Sequence, residues 1–238
     1  MSKIYIVGTP IGNLKDITLR AIETLQNVDI IACEDTRVTF KLLSKLNILG
    51  KKLITYNAHT ESNSAKGIIK LVESGQSVAL VSDAGMPVVS DPGFDLIKLA
   101  REKEIDLEII PGVSAVITAF AGSSFSNNFT FCGFIKDKTI QRIHELEKLN
   151  VGTYIYFVSP HKLLKTLEDI HTVFKGVEQL CLTKELTKIY ETWDFGNASE
   201  LLAKYQEMDS IKGEFTLVLN IPKIKREKVN KYKKSNFN

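Results

Sequence analysis

Two carboxylates and an arginine follow the second predicted strand of this chain. Glu34 and Asp35 stand side by side, and Arg37 comes two positions later. Such a group often forms a structural salt-bridge cluster, but it can equally position a substrate hydroxyl or phosphate. The spacing of these three residues does not decide between the two interpretations.

A twelve-residue loop at 82–93 carries two glycines, two prolines and two aspartates. This is long for a connection between a strand and a helix. Prolines stiffen the loop, glycines let it fold tightly, and carboxylates accept hydrogen bonds, so the composition favours a rigid edge of a pocket. We predict a functional role for Asp83, at the end of the most hydrophobic strand. Asp91 is predicted to cap the next helix.

Two further loops also connect a strand to a helix. Gly8-Thr-Pro-Ile-Gly-Asn13 is neither the glycine pattern of a dinucleotide site nor a phosphate-binding P-loop. Its glycines still allow the backbone to approach a ligand closely. In Pro111-Gly-Val-Ser-Ala115, the amides at a helix start could hold a carboxylate, although Ser114 could equally be a helix cap.

Alternating strand and helix patterns through the first half must position these loops. The pattern repeats in units of about 25 residues, and its strands are continuously apolar rather than alternating. Both features predict an α/β domain with a mainly parallel sheet. In such a sheet, ligands bind beyond the carboxyl ends of the strands, where the four segments above are expected.

The alternating pattern of the first half ends at the polar segment 123–128, which is a candidate linker. Five strand and three helix patterns follow, and two of the strands lie close together around residues 183–187, which favours a mixed sheet. One of these strands is predicted at Lys188–Trp193. The chain is therefore expected to fold as two α/β domains, at residues 1–122 and 123–222, with a basic tail at 223–238.

The composition is that of an ordinary globular protein. The chain has 238 residues, of which 44% are hydrophobic and 25% charged. No apolar run approaches the roughly 18 to 20 residues that span a bilayer. The early apolar run Ile4–Val7 is cut off by Gly8 and Pro10, so it predicts a first strand rather than a signal peptide. We expect a cytoplasmic protein without a membrane partner.

No metal or disulfide site is indicated by the cysteines and histidines. Cys33, Cys132 and Cys181 are far apart and form no paired motif. They are predicted to be small buried hydrophobic residues. The four histidines have no metal-ligand spacing, and there is no nucleophile elbow of the Gly-x-Ser-x-Gly type.

Charge is unevenly distributed along the chain, whose net charge is +3. Seven basic residues and one acid give residues 222–238 a charge of +6, which leaves −3 for the remainder. Such a tail suits a polyanion, above all nucleic acid. A solvated chain end would have the same composition, so charge alone leaves both interpretations open.

Taken together, the loops resemble one known family, the ribosomal RNA small subunit methyltransferase I family of the tetrapyrrole methylase fold. Any one of the motifs would be weak, but five or more in order make the resemblance specific, and it extends to about Ile221. The motifs that carry it are Gly8–Thr18, Glu34–Arg37, Val81–Gly93, Pro111–Ala115, Phe131–Phe134, Ser159–His161, Thr183–Lys188 and Lys212–Phe215.

The resemblance implies a function that spacing alone does not. The family uses S-adenosylmethionine to methylate the 2′-hydroxyl of a cytidine in 16S rRNA of the 30S subunit, and it is homodimeric. It holds the cofactor in a cleft between two α/β domains. Matched onto this chain, the cofactor contacts are Pro10, Asp83, Ala84, Gly85, Ser114 and Ala115.

Methyl transfer to a hydroxyl also needs a proton acceptor, since a ribose hydroxyl is a poor nucleophile at neutral pH. The candidates by residue type are Asp35, Glu34, His161 and Glu185. No metal is needed for this reaction. We expect Arg37 and Lys184 to contact the substrate.

Five places depart from the residues usual in the family. One is Asn57-Ala-His59, a loose version of a segment that usually carries an additional acidic residue. Met86 replaces a threonine, Val113 a proline and Val158 a glutamate, and Ile135 begins a replacement of Leu-Pro. The changes at Val158 and Ile135 fall in the second predicted domain. They therefore bear on substrate contacts more than on the cofactor.

Other functions share parts of this pattern. Methyltransferases of the same fold act on tetrapyrroles and on the diphthamide precursor, so the fold alone does not name the substrate. A non-catalytic RNA- or ribosome-binding protein could retain the fold. A hydrolase could use Glu34, Asp35 and Asp83 to hold a metal.

Overall fold

The structure is a computed structural model that describes residues 2–58 and 61–223. It contains two five-stranded sheets, one in each half of the chain. Apart from Lys223, the predicted basic tail lies outside the described residues. The predicted α/β fold, with a mainly parallel sheet in the first half and a mixed sheet in the second, is confirmed.

The first sheet is parallel throughout, with the strand order β3-β2-β4-β1-β5. Its central strands are buried on both faces, which explains why they are continuously apolar in the sequence. The strands are Ile4–Val7 (β1), Ile30–Cys33 (β2), Lys52–Thr55 (β3), Val78–Val81 (β4) and Leu107–Ile110 (β5).

Four helices cover the two faces of this sheet, and each face has its own apolar core. The first two helices pack on one face and the next two on the other. Thr18 begins the first helix, since its hydroxyl accepts a hydrogen bond from the amide of Ala21 at 3.1 Å. The helices are Leu19–Asn27 (α1), Thr36–Lys45 (α2), Glu61–Glu73 (α3) and Phe94–Glu102 (α4).

The second sheet is mixed, with the order β6-β7-β10-β8-β9. Only the β6–β7 pair is parallel, and the other three pairs are antiparallel. The strands are Thr130–Phe134 (β6), Gly152–Val158 (β7), Gln179–Lys184 (β8), Thr192–Gly196 (β9) and Phe215–Ile221 (β10).

The strand predicted at Lys188–Trp193 was placed too early, since β9 begins only at Thr192. The residues before it form a turn, in which Glu185 and Thr187 have φ values of 52° and 66°. The Lys188 side chain closes this turn on Glu185 with a 2.9 Å ion pair. Side-chain contacts within a turn leave no signature in hydropathy, so the apolar residues Ile189 and Tyr190 were misread as strand.

Helices cover both faces of the second sheet. Thr139–Leu146 (α6), Leu163–Phe174 (α7) and Ala198–Gln206 (α8) share a core on one face. On the other face lies Ala115–Ser123 (α5), which packs against β10, β7 and β8. This helix precedes the proposed domain boundary at 122 but lies on the second sheet. The division into residues 1–122 and 123–222 stays a prediction.

The cysteines are free thiols, as predicted. Cys33 and Cys181 are buried, and Cys132 is partly exposed. Within residues 2–58 and 61–223, no helix has the length and apolar character needed to cross a membrane.

Candidate active site

A cleft of about 430 Å³ opens between the two sheets, beyond the carboxyl ends of β4, β5 and β7. The first-sheet wall, formed by loops of the first half, comprises Ile11, residues 83–86 and 89–91, Ser114 and Ala115. The second-sheet wall comprises Phe134 and residues 157–160 and 213–216. This is the edge at which a doubly wound sheet binds ligands.

The loop after β1 is joined to the loop after β4 by backbone hydrogen bonds. The amide of Thr9 donates to the carbonyl of Gly85 at 2.8 Å, and the amide of Gly85 donates back at 3.1 Å. The buried Thr9 hydroxyl donates to the carbonyl of Ser82 at 3.2 Å. Two loops that are distant in sequence therefore form one surface.

Glycines allow the loops after β1 and β5 to touch through their backbones. A Cβ atom on Gly112 would lie 2.9 Å from the Cα of Gly8, closer than real Cβ contacts. A Cβ atom on Gly8 would lie 2.6 Å from the sulfur of Met86. Only glycine fits at either position without a shift of the backbone.

The loop after β1 also contacts the second half of the chain. The amide of Asn13 donates to the hydroxyl of Thr187 at 3.1 Å, and Gly12 lies against the side chain of Lys188. Ile11, between these contacts and β1, faces the cleft. Pro10, predicted to bind cofactor, does not line the cleft, although its neighbour Ile11 does.

Arg37 and Asp35 form a fork-to-fork ion pair beside the cleft. The guanidinium contacts both carboxylate oxygens, at 3.0 Å for Nε–Oδ1 and 2.6 Å for Nη2–Oδ2. These hydrogen bonds lower the pKa of Asp35 to about 2. The same carboxylate caps α2 through the amide of Arg37 at 2.8 Å. For this pair the geometry favours the structural interpretation of the acidic motif.

Asp83 lies at the cleft and is linked to that pair. Its Oδ1 accepts a hydrogen bond from the amide of Asp35 at 3.1 Å. Partial burial raises its pKa, as does the nearby charge of Asp35, although Asp83 keeps contact with solvent. The neighbouring carboxyl of Glu34 also has a raised pKa, because of burial and the charges of Asp83 and Asp35.

The prediction that Asp91 caps α4 was wrong. Its side chain lies in the cleft, and the carboxylate of Glu61 caps that helix instead. Glu61 Oε1 accepts hydrogen bonds from the amides of Gly93 at 2.8 Å and Asp95 at 3.1 Å. Since Glu61 is 32 positions from Gly93, local sequence could not reveal this cap.

Burial raises the pKa of Asp91 to about 6, and the negative charges of Glu34 and Asp83 act in the same direction. The Ser82 hydroxyl opposes this shift with a hydrogen bond. The cleft therefore carries a carboxyl group that titrates near neutral pH, together with a more exposed one at Asp83.

Two further predicted residues lie at the start of α5. Ser114 occupies the cap position and lines the cleft, but its side chain makes no capping hydrogen bond. Ala115, the first residue of the helix, also lines the cleft. The hydroxyl of Ser114 is therefore not engaged in holding the helix end, which removes the purely structural explanation for it.

The remaining candidates border the cleft without lining it. Glu185 accepts hydrogen bonds from the Lys188 ammonium and the Glu214 amide, both at 2.9 Å, so it holds a turn together. His161 is exposed beyond the cleft edge. Lys184 ends β8 and, like Glu34, is not part of either wall.

Comparison with known proteins connects this cleft to a family. The profile of the tetrapyrrole (corrin/porphyrin) methylases matches residues 3–201. A ribosomal RNA small subunit methyltransferase I from Mycoplasmopsis pulmonis is 54% identical over 93% of this chain and 99% of its own. A protein of the same name from Mesomycoplasma conjunctivae is 43% identical over 97% and 96%.

The chain belongs to the ribosomal RNA small subunit methyltransferase I family, within the tetrapyrrole methylases.

Solved structures of other tetrapyrrole methylases share the fold. A diphthine synthase superposes with a TM-score of 0.69 at 16% identity, covering 94% of this chain and 91% of its own. A uroporphyrin-III-C-methyltransferase from Thermus thermophilus gives 0.66 at 19% identity, covering 92% and 94%. At these identities the likeness establishes the fold alone.

Much of the second-sheet wall falls in the family motifs Phe131–Phe134, Ser159–His161 and Lys212–Phe215, but apart from the change at Val158 the sequence did not connect its residues with a ligand. Phe134 is 60% exposed and faces the cleft, with Phe157 packed against it at 5.4 Å between ring centroids. Val158, where the family usually has glutamate, is also part of this wall. In the sequence these residues have the apolar character of ordinary core strands. Their place in the cleft becomes visible only in the structure, where the end of β6 is exposed.

Metal ligation receives no support from the geometry. Among the residues that the structure describes, no group of three or more histidine, cysteine or acidic side chains could hold a metal ion. The cleft instead combines carboxylates and backbone amides with apolar side chains. This set can accept hydrogen bonds from hydroxyl and amino groups, favour a cationic ligand and exclude water.

Proposed function

We propose that this protein is an S-adenosylmethionine-dependent methyltransferase that modifies the 2′-hydroxyl of a cytidine in 16S rRNA of the small ribosomal subunit. The observation that carries the proposal is the cleft between the sheets, lined by the motifs shared with the family. Relatives named ribosomal RNA small subunit methyltransferase I, at 54% and 43% identity over nearly the whole chain, support the choice of substrate.

The cleft fits the chemistry of the proposed cofactor. S-adenosylmethionine carries a positive sulfonium, an ammonium group, ribose hydroxyls and an apolar adenine. Asp83 offers a carboxylate for the polar groups, and Ala84, Gly85, Ser114 and Ala115 bring backbone close to them. A structural neighbour at a TM-score of 0.62, uroporphyrin-III C-methyltransferase, was solved in complex with S-adenosylhomocysteine. We include Pro10 because it precedes Ile11, which lines the cleft.

The bound cofactor would supply a methyl group on a positively charged sulfur. The chain must align the ribose hydroxyl with that methyl group, exclude water and accept the hydroxyl proton. Apolar side chains on both sides of the cleft, Ile11 and Phe134 among them, suit the exclusion of water. Neither alignment nor proton transfer requires a metal.

Exposed cations near the second-sheet wall support an RNA substrate. Lys136 and Lys138 follow β6, Lys162 follows β7, and Lys212 precedes β10. All of these segments border the same end of the second sheet as the cleft. We propose that this cationic rim binds RNA phosphates, since phosphate contacts dominate affinity for nucleic acid.

Two other residues remain proposed substrate contacts. The Arg37 side chain is 85% exposed although its guanidinium is paired with Asp35, so it can still meet a phosphate. Lys184 is half-buried at the end of β8. Both lie outside the cleft walls, where an extended RNA would reach beyond the reacting nucleotide.

We further propose that the protein is a homodimer. The outer strand β9 pairs with β8 on one side, and apolar side chains lie exposed on it and on the preceding turn. Ile189 is 93% exposed, Tyr190 77% and Phe195 54%. An exposed apolar edge is a surface that proteins normally cover, and a second copy would do so. Light scattering of the purified protein tests this proposal.

We propose a cytoplasmic location, because a protein that modifies ribosomal subunits is expected where those subunits are.

We also propose that the basic tail at 223–238 binds RNA because of its charge. Apart from Lys223, this tail lies outside the described residues. Deleting residues 223–238 should make the dependence of RNA affinity on salt shallower.

Transfer of a tritiated methyl group from S-adenosylmethionine to 30S subunits tests the function directly. We expect incorporation into 16S rRNA from cells that lack the gene, and mass spectrometry of the digested RNA should find the methyl group on a cytidine ribose. Binding without incorporation would favour a non-catalytic RNA-binding protein. Transfer to a tetrapyrrole but not to RNA would favour a methyltransferase of the same fold that acts on tetrapyrroles. Activity that persists in EDTA would count against a metal-dependent reaction.

A further inference from the structure

Asp91 is the most enclosed of the three carboxylates that line the cleft. Asp83 and Glu214 are exposed to solvent, whereas Asp91 is half-buried near the end of the rigid loop 82–93. It does not cap the following helix, because Glu61 does so. Helix capping therefore does not explain why an aspartate stands at this position in the cleft.

The two other lining carboxylates are already engaged. Glu214 pairs with the Lys188 ammonium at 3.1 Å. Asp83 accepts the amide of Asp35 at 3.1 Å. Within the described part of the chain, Asp91 forms no ion pair, and the hydroxyl of Ser82, which also lies near the carbonyls of Ala84 and Gly85, is the polar side chain that opposes its pKa shift. A carboxylate without a cation keeps its basicity for another proton.

The charged groups facing Asp91 act together. Glu34 and Asp83 from the neighbouring strand ends add negative charge, and Glu214 lies across the cleft. With burial, these charges raise the pKa of Asp91 to about 6. An acid with that pKa is ionised at pH 7.5, yet is a far better proton acceptor than an ordinary aspartate.

Resting on the proposed methyl transfer to a ribose, we propose that Asp91 is the general base that accepts the proton of the attacking hydroxyl. As the ribose oxygen forms its bond to the methyl carbon, the carbon–sulfur bond breaks and its electron pair stays on sulfur. The hydroxyl proton passes to the Asp91 carboxylate. Water in the cleft takes this proton after the products leave, which restores the carboxylate.

The first test compares Asp91→Asn with a matched control, Asp95→Asn, four residues away and outside the cleft walls. We expect Asp91→Asn to lower kcat at least 100-fold, the smallest loss typical of a general base. Its affinity for S-adenosylhomocysteine by calorimetry should stay within threefold. Asp95→Asn should keep both. A kcat of Asp91→Asn within threefold of wild type, or a tenfold loss of cofactor affinity, would overturn the assignment.

Chemical rescue distinguishes a base from a structural residue. In Asp91→Ala, added formate should restore at least part of the lost rate, whereas the same formate should not raise the rate of wild type. Absence of rescue in a variant that is folded by circular dichroism and binds S-adenosylhomocysteine would contradict the proposal.

The pH dependence supplies a readout independent of turnover. Carbon-13 NMR of the labelled carboxyl should give Asp91 a pKa near 6, and log kcat of wild type should fall with unit slope below that pH. An Asp91 that titrates near 4 would overturn the proposal while leaving the methyltransferase function intact. A wild type that transfers no methyl group to any ribosomal RNA would instead overturn the proposed function, and this inference with it.

Discussion

The two walls of the cleft are built by different means. Backbone holds the first-sheet wall, where Thr9 and Gly85 exchange hydrogen bonds and Gly8 touches Gly112. The second-sheet wall contains two aromatic side chains, Phe134 and Phe157, packed edge to face. Where loops touch through their backbones, few substitutions fit without moving the loops. Where side chains line a cleft, each substitution alters the shape of the surface.

This contrast agrees with the proposal that the first-sheet wall binds the cofactor and the second-sheet wall binds the substrate. A cofactor of constant structure suits the backbone wall, whereas the substrate differs between members of the fold. Solved relatives that share the fold carry names as different as diphthine synthase and uroporphyrin-III-C-methyltransferase. Fold and substrate are therefore separable, and the second-sheet wall is where we expect the substrate to be distinguished.

The largest effect is expected behind the second-sheet wall, at the fully buried Arg142. Its guanidinium pairs with Asp169 at 2.9 and 2.5 Å and donates to the carbonyl of Lys136 at 2.6 Å, in the loop after Phe134. Among the described residues, Arg142→Ala would leave the buried Asp169 with only the distant, exposed Lys165 at 3.8 Å. We expect this to cost about 3 to 5 kcal/mol of unfolding free energy. Urea denaturation measures this loss.

A control is the exposed Lys103, which pairs with the exposed Glu73 at 2.7 Å. Lys103→Ala should cost less than about 1 kcal/mol, since exposed ion pairs contribute little. The double variant Arg142→Met with Asp169→Leu should recover much of the loss, because no buried charge is left unpaired. A single Arg142→Ala variant as stable as wild type would show that side chains behind this wall do not support it.

A smaller loss of stability is expected at the backbone contact of the first-sheet wall. Gly112→Ala places a methyl group against Gly8, so the loops after β1 and β5 must move apart. We expect about 1 to 3 kcal/mol of destabilisation by overpacking, with weaker binding of S-adenosylhomocysteine. Thermal unfolding and calorimetry measure the two effects.

Gly67→Ala is the control for that substitution. Gly67 lies within α3, and a Cβ atom there would meet nothing within 4 Å. Alanine is the better helix former, so this variant should gain roughly 0.5 to 1 kcal/mol. Equal behaviour of the two glycine variants would remove the argument that the first-sheet wall depends on close backbone approach.

The smallest effect concerns the pH dependence of stability. Because its folded pKa of about 6 lies above the unfolded value of 3.8, Asp91 binds its proton more tightly in the folded state. Its ionisation therefore costs stability above about pH 6, and the cost disappears below about pH 4. After discounting for solvent, Asp91→Asn should be about 1 kcal/mol more stable than wild type at pH 8.

Thermal unfolding of the Asp91→Asn variant and wild type across pH 4 to 8 checks this sign. The difference in stability should shrink as the pH falls through 6. A difference that stays constant with pH would show that the cleft does not raise the pKa of this carboxyl.

The first-sheet wall could largely be predicted from sequence, for a physical reason. Its loops follow apolar strands, and the carboxyl ends of parallel strands meet at one edge. The place of Asp83 follows from strand order, whereas Ser114 and Ala115 were assigned to the cofactor by the family resemblance. Asp91 was misassigned because its competitor for the helix end, Glu61, comes from another part of the chain.

The second-sheet wall could be predicted only in part, because its motifs are visible in the sequence but the side chains that face the cleft are not. Phe157 and Val158 belong to a strand whose other residues form the core, and period alone does not show which end of the strand opens into a cleft. Likewise, Glu185 has the residue type of a base, but its ion pair with Lys188 depends on a turn that hydropathy does not reveal.

We propose that the first-sheet wall binds the cofactor and that the cationic rim of the second-sheet wall binds RNA. Calorimetry of S-adenosylhomocysteine, paired with filter binding of 16S rRNA, tests it on Asp83→Ala and Lys162→Ala. Loss of a charge-assisted hydrogen bond in Asp83→Ala should weaken cofactor binding by about 1.5 to 3 kcal/mol and leave RNA affinity unchanged. Lys162→Ala should bind cofactor like wild type but RNA more weakly, with a shallower salt slope. Unchanged cofactor affinity in a folded Asp83→Ala variant would contradict the account.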